Sequence, residues 1–189
     1  GVTGVQTCAL PICTTTIQSS PVQIGTSSWI AVAAGRSTSV AIRSGGTLFT
    51  WGSNAFGQLG DGTTVNKSSP VQIGTSSWIA VGMGRKMGTA IRSGGTLFTW
   101  GYGPGGALGD GTTVNKSSPV QIGTSSWTIV SAGYNHSAAI RSGGTLFTWG
   151  INTYGRLGDG TTVNKSSPVQ IGTSSWTIVG PGRSHTAAI

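Results

Sequence analysis

One spacing constrains this chain more than any other property: it repeats itself every 49 residues. Pro21, Pro70, Pro119 and Pro168 stand at that interval, as do Trp29, Trp78, Trp127 and Trp176, and again Trp51, Trp100 and Trp149. Self-similarity at a period of roughly 20–50 residues marks architectures in which a small motif, unable to bury its own apolar face, stacks on its twins. The repeating register runs from Thr14 to Ile189, about 3.6 periods, and stops within a strand-like segment. Both ends therefore read as interior to a longer array.

Each period holds four β-like segments. In the first they are Trp29-Ile30-Ala31-Val32-Ala33-Ala34, Ser39-Val40-Ala41-Ile42-Arg43, Thr47-Leu48-Phe49-Thr50-Trp51 and Pro70-Val71-Gln72-Ile73. Ser44-Gly45-Gly46 is a hairpin signal between the second and third. Asp61-Gly62 is a turn signal between the third and fourth. Pro70 is expected to open the fourth strand, where a missing N–H costs least. No stretch combines helical periodicity with capping residues. Four short strands in a unit of this length predict an all-β fold, a partial β-propeller of four-stranded blades. A β-solenoid is the rival, but its coils normally have shorter periods. Three or four blades do not close the usual ring, so raw blade faces and a tendency to aggregate are expected.

The first thirteen residues stand apart. Val2 to Ile12, VTGVQTCALPI, resembles the translation of a short-read sequencing adapter, and similarity to the repeat vanishes before Thr14. Residues 1–13 are accordingly read as non-native and 14–189 as tandem repeats. Both cysteines, Cys8 and Cys13, fall outside the repeats, so neither informs on redox compartment or metal binding.

Composition narrows the function classes. Only 7% of residues are charged, against the roughly 25% of ordinary domains, so few faces are freely solvated. No window reaches the ~18 apolar residues that a membrane-spanning helix needs, and no membrane insertion is expected. The net charge of +8 comes from eleven Lys and Arg against three acids. Such a balance can signal a nucleic acid or an acidic membrane surface. Here the excess accumulates from each repeat, and Arg85-Lys86 is the only adjacent basic pair, so nucleic acid is not the favoured partner. Low charge with abundant Thr, Ser and Gly weighs slightly toward a secreted or cell-surface bacterial protein.

Ala132-Gly133-Tyr134-Asn135-His136-Ser137-Ala138-Ala139-Ile140, followed by Gly143-Gly144-Thr145-Leu146-Phe147-Thr148-Trp149-Gly150, resembles the regulator-of-chromosome-condensation repeat. So does Trp51-Gly52-Ser53-Asn54-Ala55-Phe56-Gly57-Gln58-Leu59-Gly60. The family motif runs approximately A-G-x-x-H-S-x-A-L, D-G-x-V-Y-x-W-G-x-N-x-x-G-Q-L-G, then a P-x-x-V strand. The resemblance implies a propeller, typically of seven blades, of which about half is present. This chain departs from the motif where Thr38 and Met87 replace its His, where Arg156 replaces its Gln, and where Tyr102-Gly103-Pro104-Gly105-Gly106-Ala107 loses the Asn-to-Gln loop. The family includes a nucleotide-exchange factor, ubiquitin-ligase modules, a light receptor and secreted β-lactamase inhibitors, so fold does not fix function. No exchange-factor residue carries over.

The copies differ from one another unevenly. Residues 42–52, 91–101 and 140–150 are identical, as are 59–78, 108–127 and 157–176. Variation gathers after the first strand, at Arg36-Ser37-Thr38, Arg85-Lys86-Met87, Tyr134-Asn135-His136 and Arg183-Ser184-His185. It gathers again after the third, at 53–58, 102–107 and 151–156. In an antiparallel four-stranded blade both connections emerge on one rim, and the Ser-Gly-Gly turn on the other. That rim is expected to bind a protein partner. Its candidate residues are Arg36, Phe56, Arg85, Lys86, Tyr102, Tyr134, Asn135, His136, Asn152, Tyr154, Arg156, Arg183 and His185. Aromatics and Arg dominate interface energetics, and loops on rigid scaffolds carry recognition. The competing account is neutral drift of loops over fixed strands.

Catalytic chemistry finds little support. His136 and His185 occupy one repeat position, and a turn-stabilising imidazole is favoured over a metal ligand or general base, which needs converging partners. Asp61, Asp110 and Asp159 open Gly-rich turns; a calcium loop needs more acids and a closing Glu, and the chain has none. No phosphate-cradling Gly motif stands between a strand and a helix. With three carboxylates in one repeated turn, a paired acid/base mechanism lacks parts, and no Ser/His/Asp order is persuasive. Asn66-Lys67-Ser68 and its copies match a glycosylation acceptor, relevant only in a secretory pathway. The tryptophans read as blade packing rather than a sugar platform. The sequence therefore predicts a non-enzymatic interaction scaffold with no cofactor, metal or small-molecule ligand. An accessory propeller of a carbohydrate-active or other enzyme is the first alternative, and a basic nucleic-acid-associated propeller the second.

Overall fold

The computed structural model describes residues 23–189. The adapter-like stretch, both cysteines and Pro21 lie outside the described residues. The 49-residue period becomes a series of four-stranded antiparallel sheets. The first contains β1 (Trp29–Ala34), β2 (Thr38–Arg43), β3 (Leu48–Gly52) and β4 (Lys67–Gln72). The second contains β5 (Trp78–Met83), β6 (Met87–Arg92), β7 (Leu97–Gly101) and β8 (Lys116–Gln121). The third contains β9 (Trp127–Ala132), β10 (His136–Arg141), β11 (Leu146–Gly150) and β12 (Lys165–Gln170). A hairpin of β13 (Val179–Pro181) and β14 (Thr186–Ala188) begins a fourth unit. The one helical element described is the 3-10 turn Pro104–Gly106.

Strand order follows sequence order in every sheet, so each unit is an up-and-down meander. Consecutive units pack through their first strands: β1 lies against β5, β5 against β9, and β9 against β13. The first strands thus line the axis and the fourth strands form the outer edge, which is the arrangement of propeller blades. The chain is a partial β-propeller.

The core lies between blades. Val40, Ile42 and Leu48 of the first blade bury with Trp78, Ala90, Phe98 and Trp100 of the second, while Ile91 and Leu97 bury with Trp127, Ala139, Phe147 and Trp149. Trp78, Trp100, Trp127 and Trp149 are fully enclosed. Each first-strand Trp meets the third-strand Phe of its own blade edge-on, with centroids 5.4–5.6 Å apart. The tryptophans pack blades, as their spacing suggested.

The first three strands fall within a residue or so of their expected positions. The fourth differs: β4 begins at Lys67, not at Pro70. Lys67 pairs with Gly52 across a register irregularity, which extends the strand backwards. Pro70 therefore sits inside the strand, tolerable because this is the outer edge, where an N–H can be spared from the ladder.

Candidate functional site

The two variable connections are built by different local rules. The first-to-second turn is closed in each blade by a backbone bond, Gly35 N to Thr38 O, Gly84 N to Met87 O, Gly133 N to His136 O and Gly182 N to His185 O, at 2.8–2.9 Å. These turns abut around the axis: Arg85 N donates to Gly133 O at 3.2 Å and Tyr134 N to Gly182 O at 3.3 Å. Only glycine fits there, since a Cβ on Gly84 would strike the Gly133 carbonyl. Their side chains consequently border one axial cavity of about 320 Å³, with Arg36, Arg85, Tyr134 and Arg183 on its wall.

The third-to-fourth connection is held from inside. The buried Asn152 donates from Nδ2 to Asp159 Oδ1 (3.0 Å), Thr161 O (3.0 Å) and Val163 O (3.2 Å), and its Oδ1 accepts from Leu157 N (3.0 Å). Asn54 makes the same set in the first blade. In the second blade Gly103 stands at this position, and the 3-10 turn replaces the Asn-centred loop, with Gly103 N donating to Asn115 Oδ1 at 3.0 Å. Asn152 shapes the loop rather than facing a partner.

Each aspartate completes its turn. Asp61 Oδ1 accepts from Thr63 N at 3.0 Å and Thr63 Oγ1 at 2.8 Å, and its other oxygen lies 3.4 Å from Lys67 Nζ. Burial pushes the Asp61 carboxyl up, but the bonds from Thr63, Asn54 and Lys67 outweigh it and hold it below the ordinary value. Asp159 behaves alike. The same pairing joins Lys116 to Asp110 and Lys165 to Asp159, both at 3.4 Å.

The two variable regions meet on one face. Tyr134 and Asn135 of one connection, Tyr154 and Arg156 of the other, and Arg183 of the next blade line a cavity of about 700 Å³. Tyr154 is 73% exposed at its mouth. At the boundary of the first two blades, Lys86 Nζ lies 4.0 Å from the Phe56 ring and 5.2 Å from the Tyr102 ring, the two rings meeting edge-on at 5.3 Å. Arg85 and Arg183 both lie over Tyr134, at 4.3 and 5.4 Å, and Arg156 over Tyr154 at 5.5 Å.

Two further expected contact residues do other work as well or instead. His136 is fully buried between blades, and burial together with the charge of Arg156 pushes its imidazole down to about 4. Arg156 is largely buried and donates to the Arg183 carbonyl at 3.0 Å. His185, the same repeat position as His136, is exposed, with no succeeding blade packed on it among the described residues. The sequence reading missed a second set of cations. Arg43, Arg92 and Arg141 lie 4.4, 4.0 and 3.9 Å over Phe49, Phe98 and Phe147, beside the Ser-Gly-Gly turns of the opposite rim. Their invariance next to an invariant Phe was the available signal.

Among the described residues no group of three His, Cys, Asp or Glu could hold a metal ion, and no helix is long and apolar enough to cross a membrane.

Comparison with known proteins places this architecture. A model of the regulator of chromosome condensation (RCC1) repeat matches residues 45–91, 94–140 and 143–189, and a second RCC1 repeat model matches 29–58 and 127–156. Human WBSCR16 is 25% identical, with a TM-score of 0.77 over 85% of this chain and 44% of that one. Yeast RCC1 (Prp20), solved bound to Kap60, is 18% identical, with a TM-score of 0.76 over 85% of this chain and 41% of that one. Prp20p from Saccharomyces cerevisiae is 20% identical, with a TM-score of 0.70 over 82% of this chain and 42% of that one. The chain thus spans less than half the length of these solved proteins. A comparison with curated protein sequences finds no match. Three successive repeat matches covering most of its length make this chain a member of the regulator of chromosome condensation (RCC1) repeat family.

Proposed function

We propose that the chain is a non-catalytic protein–protein interaction scaffold that binds its partner through the variable face. The observation that carries this reading is the contrast between the invariant third and fourth strands and the two divergent connections of each blade, those of the third blade bordering one cavity with Tyr154, Tyr134 and Arg183 at its wall. A packed scaffold whose converging loops diversify is arranged for recognition. Proteins of the same fold provide precedent: yeast RCC1 was solved with Kap60, and Prp20p is described by its binding to Gsp1p and histones. Those partners belong to those proteins. The carboxylates, each engaged in its own turn, fit a structural rather than a catalytic part.

Capture tests this reading. The immobilised chain, a Tyr102→Ala/Tyr154→Ala variant and an opposite-rim Arg43→Gln variant are compared at matched melting temperature. The expected result is a protein retained by the parent and by Arg43→Gln and lost by the double variant. Equal retention by all three overturns the proposal.

A further inference from the structure

We propose that the partner element taken by this face is an acidic protein segment, its carboxylates seated on the arginines that border the axial and loop cavities. The inference rests on the scaffold reading above and adds the chemistry of the partner.

A charge census carries it. The chain has eleven Lys and Arg and three acids, all aspartates. Each aspartate is consumed by a lysine of its own blade at 3.4 Å, with carboxyl side chains only 4–5% exposed. The eight remaining cations have no carboxylate partner among the described residues. Arg43, Arg92 and Arg141 cover Phe and Trp rings on the opposite rim. The other five, Arg36, Arg85, Lys86, Arg156 and Arg183, all lie on the variable face. Unbalanced charge of one sign in concave sites focuses the field and attracts the opposite charge.

Geometry specifies the ligand further. Tyr134 and Arg183 line both cavities, so the axial and loop depressions share a wall and one extended segment can occupy both. Arg85 and Arg183 rest on the same Tyr134 ring, which limits their rotamers before any partner arrives. A guanidinium held this way offers a planar fork suited to bidentate carboxylate binding. Nucleic acid fits less well. Readers of single strands stack bases on bare aromatic faces, whereas Phe56, Tyr102 and Tyr134 each already carry a cation.

The probe is a fluorescein-labelled twelve-residue peptide of alternating Glu and Ala, measured by anisotropy beside its Gln counterpart and a labelled DNA duplex. The expected result is binding of the Glu peptide at least tenfold tighter than the Gln peptide and tighter than the duplex. It should weaken at least tenfold in Arg85→Glu/Arg183→Glu and remain unchanged in Arg43→Gln. Equal affinity for the Glu and Gln peptides, indifference to the double reversal, or preference for the duplex overturns the proposal. A captured partner that needs Tyr102 and Tyr154 but ignores both added salt and the charge reversal would sink the acidic inference while leaving the scaffold reading standing.

Discussion

His136 crosses the boundary between two blades: its Nε2 lies 3.1 Å from Thr186 Oγ1. That hydroxyl already donates to Arg156 O at 2.8 Å, so it accepts from the imidazole, which places the proton on Nε2. The preceding blade uses the same position differently, with Ser137 Oγ donating to Met87 Sδ at 3.9 Å. The family's His is therefore one solution to an inter-blade contact, and a thioether is another.

This contact makes stability depend on pH. The buried imidazole is held down at about 4, against an ordinary value of 6.5. The unfolded chain binds the proton more readily, so stability is full above 6.5 and is lost as pH falls toward 4, by on the order of 3 kcal/mol. His136→Met, borrowing the residue of the second blade, should flatten that part of the profile. Urea titrations at pH 7 and pH 4.5 check it.

Asn152 and Gly103 should resist exchange in both directions. Asn152→Ala removes the buried amide that bridges Asp159, Thr161, Val163 and Leu157 and should cost about 2–4 kcal/mol in urea unfolding. Gly103→Asn should also destabilise, because its Cβ would run into the Val114 carbonyl. A neutral result for either would show that the loop conformations interconvert.

Gly88 controls a tryptophan. A Cβ there would enter the Trp100 ring, and Trp100 uses that space to donate from Nε1 to Gln58 O at 2.9 Å. The other blades carry Ser39 and Ser137 at this position, and Trp149 Nε1 has no partner. Gly88→Ser should displace Trp100, break the bond and cost about 1–3 kcal/mol, read by thermal unfolding and tryptophan fluorescence.

The Lys–Asp pairs should be unequal partners in stability. Lys67→Met removes a partly exposed cation and should cost less than about 1 kcal/mol. Asp61→Ala should cost more, because Thr63 N, Thr63 Oγ1 and Asn54 Nδ2 all lose their acceptor. Chemical denaturation of the two variants ranks them.

Much of this was legible in the sequence because the repeat displays its own register. Trp29–Ala34 emerged as a strand with the bounds expected, and the two divergent connections share a rim because antiparallel strands put alternate turns on opposite edges. The start of the fourth strand was hidden by Pro70, a residue usually read as a strand boundary, while Lys67 joins the ladder through an irregularity no local pattern announces. Side-chain direction was equally hidden. His136, Asn152 and Arg156 share the variable segments with Tyr154 and Arg183, yet they are buried while those two face outward. Variation between copies marks where packing is renegotiated as well as where partners bind, and composition does not separate the two.

Amide hydrogen exchange of the chain, alone and with its captured partner, tests the central claim most directly. Slowed exchange at 134–136, 151–156 and 183–185, with 44–46, 93–95 and 142–144 unchanged, is the predicted result. Protection confined to the latter turns would contradict the account.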